Sequence, residues 1–136
     1  MSSTSIDWQP LLAAARVCAG HAYAPYSKFR VGAALLFDDG TVATGCNVEN
    51  ASYGLTSCAE RNALFAAIGA EGSQRRIAAI AVVNLNNAAS PPCGACRQVM
   101  SEFVTKDAII CFPGDKGPET HPFAELFPYS FHLNEE

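Results

Sequence analysis

Two short segments constrain this chain more than any others: Cys58-Ala59-Glu60-Arg61 and Pro92-Cys93-Gly94-Ala95-Cys96. Together they supply three thiols and one carboxylate. Cys58, Cys93 and Cys96 can share one tetrahedral Zn²⁺ only if the fold carries both segments to one point. Three protein ligands leave a fourth position open, which marks a catalytic rather than a structural zinc site. Glu60 follows the first thiol closely enough to handle a proton on a zinc-bound water. Both segments stand where helices are expected to begin, the second behind Pro91 and Pro92. Helix N-termini favour negative charge and lower thiol pKa values, which promotes thiolate ligation. Three thiolates leave the ion with an excess of negative charge. Arg61 and Arg97, which follow ligand positions, could donate hydrogen bonds to sulfur and restore some acidity to the bound water.

Two other uses of these thiols are open to a sequence. A structural site with four protein ligands would need Cys18, Cys46, Cys111, His21, His121 or His132. Cys18 falls in an apolar helix and the other two cysteines in strands, where free cysteines usually serve as small buried hydrophobes. The histidines have no ligand-like spacing to the thiols. A redox C-x-x-C would leave Cys58 and Glu60 without a purpose.

The rest of the chain reads as an α/β layered domain with a mixed sheet. Trp8, Leu11, Leu12, Ala15 and Ala19 recur at helical spacing, predicting a helix over 7–22 with Asp7 as its cap. Val31 to Phe37 and Thr41 to Val48 flank Asp38-Asp39-Gly40 and read as a hairpin. Helices are expected from Cys58 to about Ile68 and from Cys93 to about Val104. Strands are expected over Ile77 to Val83 and Ala108 to Phe112. Residues 114–122 read as a loop, and Phe123 to Phe127 as a short helix stopped by Pro128. Neither a linker nor a repeat interrupts the chain, so residues 1–136 are expected to form a single domain.

Composition narrows the function. The net charge of −4 offers no electrostatic footprint for a nucleic-acid backbone, and the basic residues are scattered. Residues 1–8 are polar and lack the apolar core of an export signal, so the expected compartment is reducing and cytoplasmic. No apolar run reaches the length of a membrane span. A small substrate is therefore expected, with no nucleic acid and no membrane.

The motifs extend beyond the thiols. Residues 22–36 (Ala22-Tyr23-Ala24-Pro25-Tyr26-Ser27-Lys28-Phe29-Arg30-Val31 and onward), Gly45-Cys46-Asn47-Val48-Glu49-Asn50-Ala51-Ser52-Tyr53-Gly54, Cys58-Ala59-Glu60-Arg61 and Pro92-Cys93-Gly94-Ala95-Cys96-Arg97-Gln98-Val99 resemble the cytidine deaminases. More narrowly, they are similar to the short-chain, all-cysteine, homotetrameric branch. The resemblance implies a three-layer α/β/α fold around a mixed, five-stranded sheet. It implies one Zn²⁺ per subunit on Cys58, Cys93 and Cys96, with Glu60 as the catalytic proton carrier. It implies a pyrimidine nucleoside bound by Phe29 stacking on the base, Asn47 and Glu49 on the ribose hydroxyls, and the Ala59 N–H on the base carbonyl. Ala51, Tyr53 and Phe131 match residues of sites shared between subunits of a tetramer.

Physical chemistry supports the pocket residues in part. A neutral heteroaromatic base suits a phenyl ring, and a carboxylate beside an amide suits a ribose. Phe29 also fits an ordinary core aromatic before a strand, and Asn47 and Glu49 fit a solvated loop. The expected reaction is hydrolytic deamination of cytidine and deoxycytidine in pyrimidine salvage, with Glu60 moving protons from water to nitrogen 3 and then to the leaving amine. Deamination of a cytosine-bearing antibiotic such as blasticidin S is the nearest rival enzyme activity; a zinc-stabilised binding module is the rival of another class. Pro91, Arg30 and the Pro/Gly-rich stretch 112–119 depart from the family pattern and bear on substrate range.

Overall fold

A computed structural model describes residues 6–133. Most of the polar stretch behind the expected absence of an export signal, residues 1–5, lies outside them, as do residues 134–136. The elements in order are α1 (Trp8–Ala19), β1 (Val31–Phe37), β2 (Val42–Cys46), a 3-10 turn (Tyr53–Leu55), α2 (Ala59–Glu71), β3 (Ile77–Asn84), α3 (Gly94–Ser101), β4 (Val104–Gly114), β5 (Gly117–Pro122) and α4 (Phe123–Leu126). The strands form one sheet in the order β2-β1-β3-β4-β5. β3 and β4 are parallel, and every other pair is antiparallel.

Apolar strands buried on both faces need a helical layer on each side. On one side α1 packs Leu11, Ala15 and Ala19 against Ala34, Ala79, Ala81 and Val83. On the other, α2, α3 and α4 bring Ala63, Leu64, Ala67, Met100 and Phe123 onto Leu35, Phe37, Ile80, Val82, Ile110 and Phe112. The three layers and the mixed sheet match the expected fold class.

Several boundaries differ from the sequence reading: α1 ends at Ala19 rather than Ala22, β2 at Cys46 rather than Val48, and two differences are larger. Residues 114–122, expected as a loop, contribute β5 and the turn leading into it. Gly114 pairs with Gly117 across Asp115-Lys116, and Cys111 pairs with Thr120. Gly117 has φ +118, a conformation that favours glycine, and this lets the tight turn close. Pro118 and Pro122 lack N–H groups but are tolerated on an edge strand. The helix expected from Cys93 to about Val104 stops at Ser101. Val104 instead pairs with Ile77 at the start of β4, and the Ile77 N–H donates to the Phe103 carbonyl at 2.7 Å.

Two glycines set layer spacing. A Cβ at Gly32 would lie 1.9 Å from the Ala15 carbonyl oxygen, so only glycine lets α1 settle on β1. A Cβ at Gly45 would lie 2.4 Å from the Ala63 nitrogen and 2.6 Å from the Ala59 carbonyl oxygen. β2 and α2 are therefore in backbone contact at the end of α2 that begins the cysteine motif. No helix among the described residues is long and apolar enough to cross a membrane.

Candidate active site

The first cysteine motif opens α2 and the second opens α3, with Cys58 and Cys93 as the N-cap residues. The two helices pack on the same side of the sheet, so their N-termini converge. The sulfurs of Cys58 and Cys93 lie 3.7 Å apart, and those of Cys58, Cys93 and Cys96 all lie within 4.8 Å of one another. A tetrahedral Zn²⁺ with Zn–S bonds of ~2.3 Å needs sulfurs ~3.8 Å apart. The three thiols fit that ion. Among the described residues no Cys18, Cys46, Cys111 or histidine joins the cluster, so no fourth protein ligand is offered.

Local bonds hold the sulfurs. The Cys96 N–H points at the Cys93 sulfur at 3.5 Å, and Arg61 Nη2 donates to the Cys58 sulfur at 3.4 Å. The Cys58 thiol is drawn down to about 5, chiefly by the hydrogen bond from Cys96, with help from Arg61 and Cys93 against the effect of burial. Cys96 is pushed up by the same bond to Cys58 and by burial. Cys58 therefore gives up its proton more readily than Cys96, because thiolates this close repel. Arg97 does not fill its expected role beside sulfur. Its Nε donates to the Pro92 carbonyl at 2.9 Å and its Nη1 to the Leu126 carbonyl at 2.8 Å. Those bonds brace the segment before Cys93 and the end of α4.

Glu60 lies in the first turn of α2 and is buried, with 4% of its surface exposed. Burial pushes its carboxyl up to about 7, with the neighbouring Cys58 charge adding to the rise. A carboxyl poised there can both take and release a proton near neutral pH. Asn62 ties the helix start to its surroundings. Its Nδ2 donates to the Cys46 carbonyl at 2.7 Å, and its Oδ1 accepts from the Ser57 hydroxyl at 2.6 Å.

A cleft of about 260 Å³ opens over the cluster. Phe29, Asn47, Glu49, Cys58, Ala59 and Glu60 all line it, with Ser90 and Pro91. Ala59 is the first residue of α2, so its N–H has no carbonyl within the helix to meet. Asn47 bonds the backbone on both sides of Arg30. Its Oδ1 accepts the Val31 N–H at 2.9 Å and its Nδ2 donates to the Phe29 carbonyl at 2.8 Å. A primary amide has two donors and two lone pairs, so one of each is left for a further partner. Glu49 accepts from the Tyr26 N–H at 3.0 Å, the Ser27 N–H at 3.1 Å and the Ser27 hydroxyl.

Ala51, Tyr53 and Phe131 do not line this cleft. Tyr53 borders an adjoining depression with Tyr26, Ser27, Glu49, Asn50 and Thr56. Tyr53 is 82% exposed, and Phe131 is 68% exposed. The Phe131 backbone carbonyl accepts from Gln98 Nε2 at 2.9 Å. Ala51 is exposed on the same loop as Tyr53.

Residues passed over in the sequence reading shape the cleft too. Asn86 Nδ2 donates to the Lys28 carbonyl at 3.0 Å, and its Oδ1 accepts the Arg30 N–H at 3.2 Å. Nothing in a polar loop sequence indicates a partner so distant in the chain. Ser27 bonds the Phe29 N–H at 3.0 Å, a local hydroxyl turn that a serine two residues before an aromatic can signal.

Comparison with known proteins agrees with this geometry. Residues 7–112 match the family model of the cytidine and deoxycytidylate deaminase zinc-binding region. A cytidine deaminase of Halalkalibacterium halodurans is 49% identical over 127 residues, covering 93% of this chain and 95% of that protein. The cytidine deaminase structure from Burkholderia pseudomallei superposes with a TM-score of 0.84 at 45% identity, covering 93% of this chain and all 100% of that one. The one from Mycobacterium tuberculosis gives 0.81 at 43% identity, over 95% of this chain and 100% of that one. With three thiols at zinc spacing beside a buried carboxylate, and a family match over most of its length, this chain belongs to the zinc-dependent cytidine deaminase family.

Proposed function

We propose that this chain, as one deaminase domain over residues 1–136, hydrolyses cytidine and deoxycytidine to uridine and deoxyuridine with release of ammonia. The observation that carries the reading is the buried Glu60 beside three thiols at zinc spacing, at the base of a cleft lined by Phe29, Asn47 and Glu49. Cys58, Cys93 and Cys96 would hold one Zn²⁺, which as a Lewis acid would lower the pKa of water towards ~7. Glu60 takes the proton from the attacking water and delivers it to nitrogen 3 of the base. That protonation makes carbon 4 electrophilic. The water oxygen adds to carbon 4 as a hydroxyl; Glu60 then takes that hydroxyl's remaining proton and hands it to the exocyclic amine, so the carbon 4–nitrogen bond breaks, a carbonyl forms at carbon 4 and ammonia leaves. Its carboxyl, raised to about 7 by burial, suits both directions of transfer.

Phe29 stacks on the pyrimidine, and its backbone is held from both sides by Ser27 and Asn47. The Ala59 N–H donates to the base carbonyl. Asn47 and Glu49 take the sugar hydroxyls. Arg61 shares the charge of the Cys58 sulfur. The cleft presents two carboxylates and thiols, and among the described residues no Lys or Arg lines it. This supports a neutral nucleoside over a phosphorylated one.

Four chains assemble so that Ala51, Tyr53 and Phe131 of neighbouring copies complete each site. The exposed Tyr53, Leu55, Tyr129, Phe131 and Leu133 support that reading, because apolar groups in such number are usually covered. The enzyme works in the cytoplasm, in pyrimidine salvage. An ultraviolet assay of the zinc-loaded protein on cytidine, deoxycytidine, cytosine, CMP and blasticidin S tests the reading. Turnover of the two nucleosides is expected. Turnover of blasticidin S alone, or of none, would overturn it.

A further inference from the structure

The Glu49 carboxylate meets the cleft already engaged. Its Oε1 accepts the Tyr26 and Ser27 N–H groups at 3.0 and 3.1 Å, and its Oε2 accepts the Ser27 hydroxyl. The same Ser27 oxygen accepts the Phe29 N–H at 3.0 Å. A hydroxyl has one proton to donate and lone pairs to spare, so it can serve both partners at once. The bond from the Ser27 side chain is also the first reason that the Glu49 carboxyl sits below the usual range.

A serine turn needs only the bond to Phe29. Glu49 is 22 positions away in sequence, so nothing in the turn itself calls for the second bond. An ionised carboxylate has about four lone-pair sites. Three are filled by the bonds to Tyr26 and Ser27, and the one left is on Oε2.

Given a nucleoside in the cleft as proposed above, we infer that Ser27 is a positioning residue that couples sugar recognition to base stacking. Its hydroxyl joins the Glu49 carboxylate to the Phe29 backbone, so the group for the sugar and the ring for the base are set as a unit. It also leaves Glu49 a single acceptor site, which fits one sugar hydroxyl. In a nucleoside the glycosidic bond fixes base and sugar to each other. A site whose two contacts are fixed to each other in advance orders less on binding.

The test uses the full-length, zinc-loaded protein with Ser27→Ala, Ser27→Thr, Glu49→Gln and the Ser27→Ala/Glu49→Gln pair. A hydrogen bond to a charged group corresponds to about a tenfold change in affinity. Ser27→Ala is expected to raise KM for cytidine about tenfold while kcat stays within about threefold. Ser27→Thr, which keeps the hydroxyl, is expected to return KM to within about threefold of wild type. Glu49→Gln is expected to cost less in the Ser27→Ala background than in the wild type, since the coupling is already lost. Zinc content and Tm report on folding. Should Ser27→Ala unfold, Ser27→Cys provides the same shape with a weak donor and takes its place in the comparison. Unchanged kinetics in Ser27→Ala, or strictly additive effects with Glu49→Gln, would overturn the role of Ser27 while leaving the deaminase reading intact. No turnover of cytidine by wild type would overturn both.

Discussion

Gly45→Ala tests how the fold places the chemistry. A Cβ at Gly45 would lie 2.4 Å from the Ala63 nitrogen, 2.6 Å from the Ala59 carbonyl oxygen and 2.8 Å from the Ala63 Cα. All three are backbone atoms of α2, so no side chain can rotate away. Ordinary contact begins near 3.4 Å, so β2 and α2 must part by 3.4 − 2.4, roughly 1 Å. Overpacking of this kind costs about 1–3 kcal/mol. For a domain of this size that corresponds to a fall in Tm of roughly 4–12 °C. Activity should suffer more than stability. Ala59 lies between Cys58 and Glu60, so a shift of the helix start moves a candidate zinc ligand and the proposed proton carrier together. A misplacement of about 1 Å can cost ~10²-fold in rate. The assays are thermal melting, zinc content and kcat/KM on cytidine. Gly69→Ala, in the last turn of the same helix, is the control. A Cβ there meets nothing within 4 Å, and removing a helical glycine should add about 0.5–1 kcal/mol with native activity. Gly45→Ala with native Tm and native kcat/KM would refute the claim that backbone contact at Gly45 seats the active site.

Three further outcomes are expected. Glu60→Gln should keep its zinc and lose at least ~10²-fold in kcat, because an amide cannot carry the proton; activity within a few-fold of wild type would remove Glu60 from the reaction. Cys93→Ala should lose zinc and melt at lower temperature, since metal binding is linked to folding; X-ray absorption at the zinc edge of the wild type should fit three sulfurs and one lighter atom, and four sulfurs would rule out an open site. Phe131→Ala should keep the fold, because the residue is 68% exposed in the single chain, yet impair turnover through the assembly; native kinetics with native assembly, measured by light scattering and steady-state assay, would show that each site is complete within one chain.

Much of the site is legible before folding is considered. Thiolate ligands favour helix starts, and Cys58 and Cys93 do cap α2 and α3. The apolar runs at Val31 to Phe37 and Ile77 to Val83 form strands because two-sided burial writes itself as continuous hydrophobicity. β5 left no such mark. Its residues Gly117–Pro122 are polar and proline-bearing, and they are extended only because β4 offers them a partner. Propensity cannot report a bond whose other half lies elsewhere.

Residue types and spacings in the sequence by themselves determined the chemistry on offer: three thiols and a carboxylate at helix N-termini, an aromatic before a strand, and an amide and a carboxylate two positions apart. Tertiary structure decided how they are used. It spent Arg97 on the carbonyls of Pro92 and Leu126 rather than on sulfur. It braced the backbone around Phe29 with Asn47 and Asn86 from two separate segments. It joined Glu49 to Ser27, and it let α2 approach β2 at a glycine. Each of these depends on which atoms meet across long sequence separations. Hydrogen bonds and steric contacts act over a few ångströms in space, and a local reading of the chain does not contain those distances.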